Sequence, residues 1–162
     1  MKKNSIIGYT IAIFSGLLIV GSAFFSLTMM LVTGQFKQGN SLFDYFFGGV
    51  KAVEGMNLPI IVYGVAIMMA VVCIVFALIG LICTIRGKRS KLLLTMERIA
   101  SLLCFIAIIL SLITLGLHIA TQTYEGVNIM GIGLLVALLG SLLLIEGMFL
   151  VRVRETKKSE EN

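Results

Sequence analysis

The sequence has few charges and few of the residues that carry catalytic chemistry. Only 13% of its 162 residues are charged, tryptophan is absent, and histidine occurs once, as His118. A haem bundle with paired histidine ligands is therefore excluded. The chain also has no CxxC pair, no GxxxxGK[ST] loop and no GxSxG elbow, so thiol redox, P-loop and serine hydrolase chemistry lack their motifs. We expect a protein that is not an enzyme and that needs no cofactor or metal.

Apolar residues, in contrast, are abundant. They make up 59% of the chain, and the mean hydropathy is +1.07, well above the usual range of soluble domains. The net charge of +5 comes from basic residues in short runs between apolar segments, without the continuous basic face that nucleic-acid binding requires. Membrane lipid, and not nucleic acid, is the expected partner of these charges.

Four apolar segments are each long enough to cross a bilayer. About 20 helical residues span a hydrocarbon core of about 30 Å, and each segment exceeds that length with no charge at its centre. We predict an all-α membrane protein of one domain, a bundle of four transmembrane helices. The predicted spans are approximately 5–33, 58–85, 92–121 and 127–151, followed by a tail at 152–162.

The basic residues predict how the chain is oriented. Eleven of the thirteen lie at the amino terminus, around the connection between the second and third spans, or in the tail. Only Lys37 and Lys51 fall in the long first connection. Because cytoplasmic connections carry the excess of lysine and arginine, both termini are expected in the cytoplasm and the protein in the plasma membrane.

The connection at 34–57 is the only long one, and it has its own apolar pattern. Leu42, Phe43, Phe46 and Phe47 recur at helical spacing, with Asp44 on the opposite face. This pattern predicts a short amphipathic helix at the outer membrane surface. Its phenylalanines could form a lid over the bundle or a docking surface for a partner or lipid.

The fourth span carries a glycine at every seventh position, together with Ala137. Residues without large side chains let two helices approach closely, which drives association in lipid. The stripe therefore predicts a helix contact, either within the bundle or with a second protein. Its glycines are Gly126, Gly133, Gly140 and Gly147.

The third span carries a seam of small and polar residues, which also recur every seven positions. Heptad spacing places them along one side of a left-handed helix pair. The seam predicts either an internal packing surface or the wall of a hydrated path. Its members are Glu97, Cys104, Ser111, His118 and Glu125.

Glu146 is the clearest ionisable residue at membrane depth. It precedes Arg152 by six residues, which is about 9 Å of helix, and an unpaired charge in the bilayer is costly. Glu97 and Arg98 lie at a similar level on the third span. We expect an ion pair between Glu146 and Arg98, with a carboxylate that titrates or binds a cation as the alternative.

Two functions fit these features. The first is an accessory, regulatory or assembly subunit that contacts another integral membrane protein, or a second copy of itself, through its helices. The second is a small oligomeric transporter or channel that uses Glu146 and the polar seam of the third span. Lipid binding at Phe43, Phe46 and Phe47 is a third possibility.

Overall fold

The described residues form four long helices and a small sheet at one end of them. The computed structural model describes residues 2–32, 35–51, 56–87, 91–121 and 127–160. A short 3-10 turn at Ser22–Phe24 follows the first helix. The elements are α1 (Lys2–Gly21), β1 (Thr28–Val32), β2 (Gln35–Gln38), α2 (Leu42–Phe46), α3 (Asn57–Ile85), α4 (Lys91–Thr121), β3 (Val127–Met130) and α5 (Ile132–Glu160).

Four of these helices are long and apolar enough to cross a membrane. Their apolar segments are 4–24, 57–85, 92–121 and 132–151. In the bundle α1 packs against α3 and α5, and α4 packs against the same two helices. The predicted fold class, an all-α bundle of four transmembrane helices in an integral membrane protein, is confirmed.

A three-stranded antiparallel sheet lies at what we call the outer end of the bundle, where α1 and α4 end and α5 begins. The strand order is β2-β1-β3, and Met30 of β1 is opposite both Lys37 and Asn128. The predicted first and fourth spans, 5–33 and 127–151, are therefore too long at this end. A short apolar run has the same composition in a strand and in a helix, and here the backbone pairs between connections that are distant in sequence.

The outer connection contains the short amphipathic helix α2. Ser41 caps it: its hydroxyl oxygen accepts from the Asp44 backbone N–H at 3.2 Å, and its own backbone N–H donates to the Asp44 carboxylate at 2.8 Å. The helix stops soon afterwards, because Gly49 has a φ of +70°, a conformation that glycine adopts at little cost. The predicted helix is thus confirmed in position but is only five residues long.

Candidate functional site

The glycine stripe of α5 faces α1. A Cβ atom built on Gly140 would lie 2.8 Å from Ile19 Cγ1, and one on Gly147 would lie 3.0 Å from the Gly8 carbonyl oxygen. On Gly133 it would lie 2.9 Å from the carbonyl oxygens of Ser22 and Phe25, in the turn that follows α1. These distances leave no room for a side chain, so the stripe serves contact within the bundle.

Ala137 completes this contact, since it is fully buried between the glycines. Gly126, the remaining predicted member, lies outside the described residues. Of the two interpretations of the stripe, the geometry favours the internal one. The glycine face of α5 is covered by α1 and is not open to a second protein.

The polar seam of α4 lies against α3. The Cys104 thiol donates to the Ala66 carbonyl at 3.5 Å, and the Ser111 hydroxyl donates to the Pro59 carbonyl at 3.4 Å. Both polar side chains are fully buried, and their hydrogen bonds join the two helices. This part of the seam is a packed contact between α3 and α4. His118 is half-buried near the outer end of α4, and Glu125 lies outside the described residues.

Glu97 differs from the rest of the seam. It is completely buried, and within the described part of the chain neither of its carboxylate oxygens has a hydrogen-bond partner. The next residue, Arg98, is half-buried and lines a cavity of about 220 Å³ between α4 and α5. Ser101 lines the same cavity and donates to the Glu97 backbone carbonyl at 2.8 Å. A buried acid thus lies one residue away from a small cavity with a basic wall.

The ion pair between Glu146 and Arg98 stays a prediction, and the structure gives the two side chains different surroundings. The α5 residues that border the Arg98 cavity are Ile145, Met148 and Phe149. Glu146 is exposed on the outside of the bundle. The sequence places Glu146 and Arg98 at one level because of their distance from the helix ends, but successive residues on a helix differ in direction by about 100°. Ile145 borders the cavity, and Glu146 points in a different direction.

Glu146 belongs to a continuous exposed stripe on α5. Its neighbours in the stripe are large apolar residues, all exposed in the described structure. The sequence pattern points to Glu146 but not to this surrounding stripe, because the glycine pattern on the opposite face is the more obvious signal. We call the stripe the outward seam of α5, and its members are Leu135, Leu139, Leu142, Glu146 and Phe149.

The three predicted phenylalanines of the outer segment lie together beside α3. The ring centroids of Phe43 and Phe47 are 4.9 Å apart, and Phe43 stacks on Phe24 at 5.1 Å. They border a cavity of about 660 Å³, which we call the outer groove. Its lining is Val20, Ala23, Phe24, Leu42, Phe43, Phe46, Phe47, Ile61, Gly64, Val65, Ile67, Met68 and Met69.

One buried polar cluster gives no signal in the sequence. The Tyr63 hydroxyl is hydrogen-bonded to the Ser22 hydroxyl and donates to the Gly133 carbonyl at 3.3 Å. It therefore links α3 to the ends of both α1 and α5. A lone tyrosine in an apolar span gives no periodic signal, so only the fold reveals its partners.

Among the described residues, no group of three or more histidine, cysteine, aspartate or glutamate side chains is placed to hold a metal ion. The chain matches no family model, and no curated protein or solved structure is significantly similar to it. Support for a function therefore comes from the exposed seam, the buried acid and the outer groove.

Proposed function

We propose that this protein is an accessory subunit that docks within the bilayer on another integral membrane protein, through the outward seam of α5. The observation that carries the proposal is Glu146, an acidic residue exposed at membrane depth. It is the fourth of five residues in a row whose other members are large, exposed apolar side chains. A partner helix on this surface would cover all of them at once.

The spacing of the outward seam is that of a helix–helix contact. Its members are separated alternately by four and three residues. This is the heptad pattern that keeps one side of a helix against a partner in a left-handed pair. Leu139 and Leu142 have 61% and 49% of their surface exposed, so they are free to fit between side chains of a second helix.

Glu146 gives this contact its specificity. A charged side chain at the centre of a membrane costs roughly 2.5–3.5 kcal/mol even on the lenient insertion scale, and Glu146, five residues inside the end of the span at 132–151, bears part of that cost. A partner with a basic or hydrogen-bond-donating side chain at the same depth would reduce that cost. Polar side chains between membrane helices act in this way, because the alternative is an unsatisfied group in hydrocarbon. The partner of this seam should therefore carry such a side chain.

A photo-crosslinking amino acid at Leu142 tests the proposal in native membranes. The matched control is Leu110 of α4, which lies off the seam and is 48% exposed against 49% for Leu142. We expect position 142 to give one adduct of defined mass and position 110 to give lipid adducts only. Equal labelling at both positions, or a monomeric chain at native expression, would refute the proposed docking.

A second substitution pair measures the strength of the contact. Leu139→Ala removes a large side chain from the seam, while Leu117→Ala removes one of equal exposure, 62% against 61%, from α4. The amount of partner protein that co-purifies in mild detergent should fall for Leu139→Ala and be unchanged for Leu117→Ala. Equal loss in both variants would indicate a general effect of the bilayer and contradict the proposal.

Proton-coupled transport is the second candidate function, and Glu97 is the observation that favours it. A fully buried acid without a hydrogen-bond partner among the described residues, next to a cavity lined by Arg98, is an arrangement that a proton relay uses. In proteoliposomes Glu97→Gln should then abolish a flux driven by a pH gradient. A flux equal to that of the unsubstituted protein would eliminate this function.

A further inference from the structure

The docking proposal leaves the outer groove unexplained. We propose that it holds a hydrocarbon chain of a phospholipid from the leaflet at the outer end of the bundle. This site is separate from the outward seam of α5, and it would bind its ligand whether or not a partner protein is present.

The lining of the groove determines the chemistry of its ligand. Every lining residue is apolar, and the walls come from α1, α2 and α3. A polar group placed there would lose its hydrogen bonds to water without replacement, at a cost of several kcal/mol. A peptide in extended conformation would bury unsatisfied backbone groups for the same reason. Hydrocarbon has no such groups, so it is the chemistry that fits.

The position of the groove gives a lipid chain direct access. Its α3 wall runs from Ile61 to Met69, a length of about 12 Å at helical rise. This wall is part of the span at 57–85, and the α1 wall belongs to the span at 4–24. One leaflet contributes about 15 Å of hydrocarbon. The groove therefore extends along most of the depth that an acyl chain occupies.

The size of the groove suits a small hydrophobic ligand. The groove has about 660 Å³, which lies within the roughly 300–1,000 Å³ range of small-molecule sites. A lipid acyl chain is a ligand of this kind.

The exposed phenylalanines that border the groove are a further reason to expect an occupant. Phe47 has 78% of its surface exposed, and Phe43 and Phe46 are also exposed, although all three border the groove. The opposite side of α2 carries Asp44, which is engaged in the helix cap. An acyl chain in the groove would contact the phenylalanines and leave the polar side of α2 outside the hydrocarbon.

Filling the groove from within tests the proposal. Gly64 lies in its wall, and a Cβ atom there would be 3.1 Å from the Phe46 ring, so Gly64→Leu places a branched side chain in the cavity. Gly116→Leu on α4 is the matched control, because nothing lies within 4 Å of a Cβ atom at that position. Each protein is reconstituted with palmitoyl-oleoyl phosphatidylcholine, extracted in mild detergent and examined by native mass spectrometry.

We expect the unsubstituted chain and Gly116→Leu to retain a phospholipid. Gly64→Leu should lower the retained fraction by at least about tenfold, since excluding two methylene groups from an apolar site has that effect. Equal retention in both variants, or no retention by the unsubstituted chain, would overturn the proposal. Phe47→Ala gives an independent result, because truncating an exposed side chain removes part of the groove wall without opening the core. This variant should also retain less phospholipid. Unchanged retention would contradict the site.

The absence of tryptophan allows a direct measurement of contact. Phe46→Trp places a single fluorophore at the groove, and Phe14→Trp places one on the exposed side of α1 at a residue that is not part of the groove lining. Phosphatidylcholine brominated on its acyl chain is then titrated into detergent solutions of each protein. Quenching should saturate at low lipid for Phe46→Trp and rise without saturation for Phe14→Trp. Identical curves would indicate bulk lipid contact only and refute the site.

Discussion

The two faces of α5 use different residues for different contacts. On the inner face Gly140 and Gly147 bring the backbone against α1. On the outer face Leu139 and Glu146, the residues just before them, are exposed. A single step along the helix therefore changes a covered position into an uncovered one.

This difference shows how a helix can be fixed in a bundle and still offer a surface. Lipid is as apolar as leucine, so large apolar side chains gain little by moving from lipid into a helix contact. Close backbone packing is what holds α5 against α1. The large residues of the outward seam are exposed and take no part in that close packing, which leaves them available for a partner.

Gly140→Leu should have the largest effect, because it breaks the inner face. Its side chain would have to displace Ile19, which already lies 2.8 Å from the position of a Cβ atom. Overpacking of this kind costs about 1–3 kcal/mol and sometimes more. We expect a clear loss of thermal stability, or of the folded protein altogether, by fluorescence-detected size-exclusion chromatography.

Leu139→Ala is the control for Gly140→Leu at the adjacent residue. It removes an exposed side chain, so the thermal stability of the purified chain should change by less than about 0.5 kcal/mol. If Leu139→Ala destabilised the isolated chain as strongly as Gly140→Leu, the two faces would not have separate roles.

Glu146→Leu should have the next largest effect. It should stabilise the isolated chain and weaken the complex with the partner protein. Replacing an exposed carboxylate at membrane depth removes part of a cost that reaches about 3 kcal/mol at the membrane centre, so the purified chain should become more stable. The amount of partner protein that co-purifies should fall at the same time, because the polar contact is lost. A variant that loses stability without its partner would show that Glu146 supports the bundle itself.

Tyr63→Phe tests the contact between α5 and α1 at the outer end of the bundle. The hydroxyl of Tyr63 joins Ser22 to the Gly133 carbonyl, and removing it leaves buried groups with fewer hydrogen bonds. The expected loss of stability is about 1 kcal/mol. Ser22→Ala combined with Tyr63→Phe should cost less than the sum of the single changes, since both hydroxyls belong to one hydrogen-bonded pair. Additive losses would mean that the two hydroxyls act separately.

The sequence predicted those parts of the molecule that depend on one helix at a time. Span length and glycine spacing are local patterns, and the bundle and the glycine face follow from them. The sheet and the direction of Glu146 depend on how distant segments meet. Residues 28–32 and 127–130 have the apolar composition of the neighbouring spans, and only their mutual pairing makes them strands. The distance of Glu146 from the helix end gave its depth, whereas its direction required the packed bundle.

Asp44 provides the smallest effect and a counterpart to Glu146, since it is an acid whose hydrogen bonds are satisfied. Donation by the Ser41 backbone N–H and hydroxyl lowers its pKa below the ordinary value of 3.8. An acid whose pKa is lower in the folded state stabilises that state above its unfolded pKa, and the contribution disappears as the pH falls through the lower value. The protection of the α2 amides against hydrogen exchange should therefore be constant above about pH 4 and fall below it. The protection of the α4 amides should not change over this range. Asp44→Asn should remove this pH dependence, and an identical acid response in that variant would assign the opening to another group.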